Sequence, residues 1–83
     1  MITLYDFQAM SINEKATAVW EGTFIGDRAE GDIKIQLYNM GTFYAEVFYD
    51  QHVNAIINVR GFKSTKLIEP YLSKIKLDYD YKI

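Results

Sequence analysis

The sequence predicts an α+β domain in which short N-terminal helices precede a four-stranded antiparallel β-meander, a C-terminal helix and an extended tail. Three observations carry that prediction. Two helix-start signatures, Thr3 with Asp6 and Ser11 with Glu14, stand close together near the N-terminus. After Gly22 the apolar period changes from that of a helix to alternation. The alternating segments are then separated only by short turn-forming stretches, which makes neighbouring strands antiparallel. A strongly curled version of the same sheet would close instead into a small barrel of the Sm or OB type.

In each helix signature a short oxygen acceptor at the N-cap faces a carboxylate three residues on. They predict a brief helix from Leu4 to about Ala9 and a longer one from Ile12 to Glu21. In the second, Ile12, Ala16, Val19 and Trp20 form one apolar stripe. Gly22 falls where a helix commonly stops in the left-handed conformation. Thr23 to Ala29 reads as a first strand, with Gly26 marking a bulge or a close backbone approach. Glu30-Gly31-Asp32 turns the chain, and Ile33, Ile35 and Leu37 then alternate with Lys34, Gln36 and Tyr38 as a half-buried strand.

Asn39-Met40-Gly41 is a second turn. Thr42 to Tyr49 places Phe43, Ala45, Val47 and Tyr49 on one face, with Tyr44 and Phe48 flanking Glu46 on the other, the pattern of a strand covered on both sides. Asp50 to Asn54 is a loop and Ala55 to Phe62 a fourth strand. Ser64 caps a last helix, Thr65 to about Ile75, which Pro70 kinks or restarts. Lys76 to Ile83 alternates charged with apolar or aromatic residues. That alternation predicts a strand paired with its own sheet or with a neighbouring chain.

Eighty-three residues make a single domain, residues 1–83, with no room for a second core. The absence of cysteine excludes disulfide, thiol-redox and zinc-thiolate chemistry. A net charge of −2 excludes the basic excess that drives non-specific binding to nucleic acid. Charge is uneven: residues 1–50 carry −5 and residues 51–83 carry +3. The first fourteen residues hold Asp6 and Glu14 and no base, unlike a secretory signal. The longest apolar stretches, such as Ala18-Val19-Trp20 and Ala55-Ile56-Ile57, are too short to span a bilayer. The expectation is a cytoplasmic protein without cofactor or membrane partner.

Thr3-Leu4-Tyr5-Asp6-Phe7, Val19-Trp20, Gly26-Asp27-Arg28, Phe43-Tyr44-Ala45-Glu46-Val47 and Glu69-Pro70-Tyr71-Leu72 run through most of the chain. Together they resemble a group of small uncharacterised bacterial proteins of about this length. The resemblance implies no activity.

Residues that could carry chemistry are sparse. His52 is the only histidine and lies beside Asp50, so a base with a carboxylate orienter is conceivable. No nucleophile or Gly-x-Ser-x-Gly turn accompanies it, and Ser11, Ser64 and Ser73 could join it only through space. Asp27, Glu30 and Asp32 gather acids around Gly31, but their spacing departs from the calcium loop and Arg28 intrudes. These features predict a solvated loop histidine and a charged hairpin tip, hence no enzyme and no metal site.

Two binding readings remain. Arg60-Gly61-Phe62-Lys63 opens like the RNA-recognition sheet motif, and Tyr38, Tyr44 and Phe48 could extend a stacking platform. Its nucleic-acid-binding residues would be Arg60, Phe62, Lys63 and Lys66. Against it, Lys63-Ser64-Thr65 breaks the motif and the overall charge is negative. The favoured reading rests on an aromatic content of 16 %. It makes the chain a non-catalytic protein-interaction or self-associating module, with Tyr44, Phe48, Leu77, Tyr79 and Tyr81 at the interface. Its partner is another protein or a second copy.

Overall fold

The structure is a computed structural model and describes residues 2–63 and Tyr71. Helices α1 (Leu4–Gln8) and α2 (Ile12–Val19) precede strands β1 (Thr23–Glu30), β2 (Ile33–Asn39), β3 (Tyr44–Asp50) and β4 (Ala55–Phe62). The strands form one antiparallel sheet in the order β1-β2-β3-β4. Among the described residues β1 and β4 do not pair, so the sheet is open and the barrel alternative does not hold. The expected C-terminal helix over 65–75 lies outside the described residues, Tyr71 apart, and so does the tail over 76–83.

Both helix starts are capping boxes. The Thr3 hydroxyl accepts from the Asp6 amide while Asp6 accepts from the Thr3 amide, at 3.1 and 3.2 Å. Ser11 and Glu14 repeat the arrangement at 3.2 and 2.9 Å. Each box satisfies amides that have no partner inside the helix. These short helices owe the rest of their stability to what they cover.

α2 ends at Val19 rather than Glu21, because the amides of Trp20, Glu21 and Gly22 bond back three residues and tighten the last turn. Gly22 is therefore not a left-handed stop. Its role is close approach: a Cβ there would come within 2.6 Å of Met40 Sδ and 2.9 Å of the Asn39 carbonyl oxygen. Gly31, by contrast, turns β1 into β2 at φ 61°, and Asn54 closes the β3–β4 turn at φ 59°.

The sheet is packed on both faces. On the α1/α2 side Phe7, Val19, Tyr38, Met40, Phe43, Ala45, Val47 and Val59 form one cluster. A Cβ on Gly61 would meet Leu4 and Phe7 at 2.7 and 2.9 Å, so glycine lets α1 rest directly on β4. On the opposite side Ile35, Leu37, Phe62 and Tyr71 form the second cluster, flanked by Ile25, Ile33, Tyr44 and Phe48. Only part of the α2 stripe enters the core: Val19 is buried, while Ile12 and Trp20 remain 43 % and 70 % exposed. β3 begins at Tyr44 rather than Thr42 because the turn takes up residues 41–43: the Met40 amide donates to the Phe43 carbonyl at 2.8 Å and Gly41 sits at φ 100°.

The two edge strands share a device that the central strands lack. β1 carries one extra residue, Ile25, between the pairs Phe24–Tyr38 and Gly26–Leu37. β4 carries Ile57 between the pairs Tyr49–Ile56 and Phe48–Asn58. The Gly26 irregularity is thus a bulge, and bulges at edges twist unpaired backbone away from further strands.

Candidate functional site

β3 places Glu46 at the centre of the face opposite the helices, where its side chain is wholly buried. The cross-strand register puts Arg60 of β4 directly opposite, and Arg60 Nε donates to Glu46 Oε1 at 2.8 Å. Tyr71 lies on the same face, and its hydroxyl donates to Glu46 Oε2 at 2.7 Å. Arg28 of β1 brings Nη2 to 3.5 Å from the same oxygen, and its Nη1 pairs with Glu30. Two cations and a phenol therefore surround one carboxylate, as a buried charge requires.

Aromatic rings complete this cluster. The Arg28 guanidinium sits 5.5 Å from the Tyr71 ring centroid, and Arg60 lies 5.8 Å from Phe48 and 5.7 Å from Phe62. Tyr44 stacks on Phe62 at 5.8 Å. Burial pushes the Tyr71 phenol well above its ordinary value, and the hydrogen bond to Glu46 pushes it further. Arg28 is also raised: burial works against its charge, but hydrogen bonds to Glu30 and Tyr71 outweigh it. Arg28 Nε is buried without a hydrogen-bond partner among the described residues. The cluster fixes Tyr71 against the sheet through its hydroxyl.

The other face is different in kind. Between α2 and the sheet lies a groove of about 380 Å³, bounded by Val19, Trp20, Tyr38, Val47, Tyr49 and Ile56. Trp20 and Phe24 both stand edge-on to the Tyr38 ring, at 6.4 and 5.6 Å, and Phe24 is 51 % exposed. Tyr38 donates to Gln36 Oε1 at 3.3 Å, and burial pushes its phenol up. Lys34 is the one charged residue on this lining, with Asp27 Oδ2 at 3.8 Å, outside hydrogen-bond range. A larger hollow of about 620 Å³ runs along another side of α2, bounded by Ile2, Met10 and Met40, and carries Glu14 and Glu21.

The sequence-derived candidates divide between these faces. Tyr44 and Phe48 are half-buried beside the Glu46 cluster, so they do not form an open aromatic patch. Their partners in that reading, Leu77, Tyr79 and Tyr81, lie outside the described residues. For the nucleic-acid reading, Phe62 is only 7 % exposed and Arg60 is bound to Glu46, which leaves Lys63 exposed and Lys66 outside the described residues. Tyr38 faces the helices, away from Tyr44 and Phe48, so the stacking platform does not assemble.

His52 is exposed on the β3–β4 turn. Asp50 Oδ1 accepts from the backbone amides of His52 and Val53, at 2.8 and 3.4 Å, rather than orienting the imidazole. Asp27 and Glu30 pair with Lys34 and Arg28, and no three acidic or histidine side chains converge on a metal position among the described residues. No helix among them is long and apolar enough to cross a membrane. No protein-family model, curated protein or solved structure matches the chain.

Two features escaped the sequence. Glu46 was visible only as a polar residue between Tyr44 and Phe48, and nothing local points to Arg28 or Tyr71 as its partners. The groove beside Trp20 was masked because the α2 stripe reads as core.

Proposed function

We propose that the protein is a non-catalytic cytoplasmic interaction module that docks an extended apolar segment of a protein partner in the groove beside α2. The carrying observation is the exposure of Trp20 on the lining of an apolar cavity of ligand-binding size, with Phe24 exposed against the same Tyr38 ring. Aromatic side chains supply much of the energy at such surfaces because each buries a large area at little entropic cost. Lys34 at the rim adds a preference for an acidic residue beside the apolar anchor. The Glu46 cluster serves the module as scaffold, holding Tyr71 on the far face while the groove stays accessible.

Trp20 is the only tryptophan and reports directly on the groove. Titration with peptides that alternate aromatic or aliphatic residues with Asp should shift its emission to the blue, saturably. Ile56→Asp should abolish the shift without unfolding the protein. Emission that stays unmoved by every such peptide contradicts the reading.

A further inference from the structure

We infer that the hollow carrying Glu14 and Glu21 is a second docking site, and that its occupant is a basic amphipathic helix of a partner protein. The hollow shares no lining residue with the groove beside Trp20, so the inference goes beyond the reading above.

One face of α2 forms the length of the site. Asn13, Glu14, Thr17, Ala18 and Glu21 recur at the spacing of a single helix face, and they line a hollow of about 620 Å³. The core takes Val19 from a different side of the helix. Ile2, Met10 and Met40 supply the apolar side of the hollow. A methionine is unbranched and polarizable, so it adapts its shape to a partner's side chains. Thr17 and Ala18 are small and let a second helix approach α2 closely.

Charge fixes the sign of the occupant. Glu14 and Glu21 are the charged residues on the lining, and no cation stands within ion-pair range of either among the described residues. Lys15 is not on the lining, and its ammonium lies 5.8 Å from the Phe7 ring centroid. Glu14 Oε1 accepts from the Ser11 amide at 2.9 Å, which leaves Oε2 for an incoming donor. An anionic occupant would meet two like charges, whereas a basic one finds two carboxylates beside an apolar floor.

Spacing favours a helix. Glu14 and Glu21 are seven residues apart, about 11 Å along the axis and nearly in line around it. Lys or Arg at i and i+7 of a partner helix repeats that separation, with aliphatic residues at i+3 and i+4 between them to face Met10 and Met40. Side chains on one side of an extended strand recur at about 7 and 14 Å, which matches less well.

Calorimetric titration of the intact chain with a synthetic helical peptide, Lys at i and i+7 and Leu at i+3 and i+4, tests the inference. Saturable binding is expected, and it should weaken about threefold or more as salt rises from 0.05 to 0.5 M. Glu14→Gln with Glu21→Gln should weaken it about fivefold, and glutamine at position 14 keeps the capping box. Thr17→Arg places bulk and a like charge on an exposed position of the lining and should abolish binding at unchanged circular dichroism. Ile56→Asp, which alters only the groove, should leave the titration unchanged.

Absence of saturable binding at low salt overturns the inference. Binding that ignores the Glu14 and Glu21 substitutions overturns it too, as does equal binding of a peptide of the same composition in scrambled order. Loss of binding in Ile56→Asp assigns the peptide to the groove and removes the second site. None of these results bears on the groove reading, which Trp20 emission with apolar-acidic peptides measures separately.

Discussion

On the α1/α2 side of the sheet, Phe7 and Val19 press onto Ala45, Val47 and Val59, while Trp20 and Phe24 are left largely in water. On the opposite side a fully buried carboxylate, Glu46, is bonded to Arg60 and Tyr71 and lies beside Arg28, with rings packed around them. The first face is non-directional: apolar contacts hold by area rather than by fixed geometry. The second face is directional. Each oxygen of Glu46 has a donor at hydrogen-bond distance, and a displaced donor would leave a buried charge short of partners. One face is held by buried area and the other by fixed geometry.

Removing Glu46 should have the largest effect. Glu46→Ala leaves the Arg28 and Arg60 charges without their shared carboxylate and should cost about 3–5 kcal/mol, read as a lower urea midpoint. If this variant were as stable as the parent, the contrast between the faces would be lost.

Tyr71→Phe should cost less, about 1–3 kcal/mol, because only the hydroxyl donor to Glu46 is removed. It also carries a pH signature. Folding raises the Tyr71 pKa above the ordinary value of 10.0, so the folded chain favours the neutral phenol. That contribution is fully present below the ordinary value and is lost as pH rises towards the higher folded value. The stability gap between parent and Tyr71→Phe should therefore narrow in alkali. A gap that widens there would show that the phenol is not the donor.

Ser11→Ala removes one half of the second capping box and should cost about 1 kcal/mol by urea unfolding, slightly loosening one wall of the groove. Trp20→Ala should be the mildest for stability, within about 0.5 kcal/mol, because its ring is mostly exposed. A large destabilisation by Trp20→Ala would make that ring part of the core and erase the contrast between the two faces.

What the sequence makes legible here is local. The Thr3/Asp6 and Ser11/Glu14 boxes each act within one turn of chain, and both form. The meander follows from period-two alternation broken by short turns, and the Gly26 bulge from a glycine inside a strand. A glycine after a helix is compatible with two roles, and what decides Gly22, the nearness of Met40 and Asn39, is a tertiary fact. Trp20 fits the helical stripe by spacing, yet the stripe is wider than the face the sheet covers.

The Glu46 cluster lay beyond local reading for a clearer reason. Its members sit at 28, 46, 60 and 71, joined only once strand register and the position of Tyr71 are fixed. Tyr44 and Phe48 looked like surplus aromatic surface for the same reason, since the Arg60 and Phe62 that cover them arrive from the next strand. The aromatic rings left exposed beside the helices are instead Trp20 and Phe24.

The most direct measurement is acrylamide quenching of Trp20 emission in the intact chain as an apolar-acidic peptide is titrated in, with far-ultraviolet circular dichroism recorded alongside. Progressive shielding and a blue shift at unchanged secondary structure are the predicted result. A tryptophan equally open to quencher in the presence of every such peptide would contradict the proposal that the α2 groove is a docking surface.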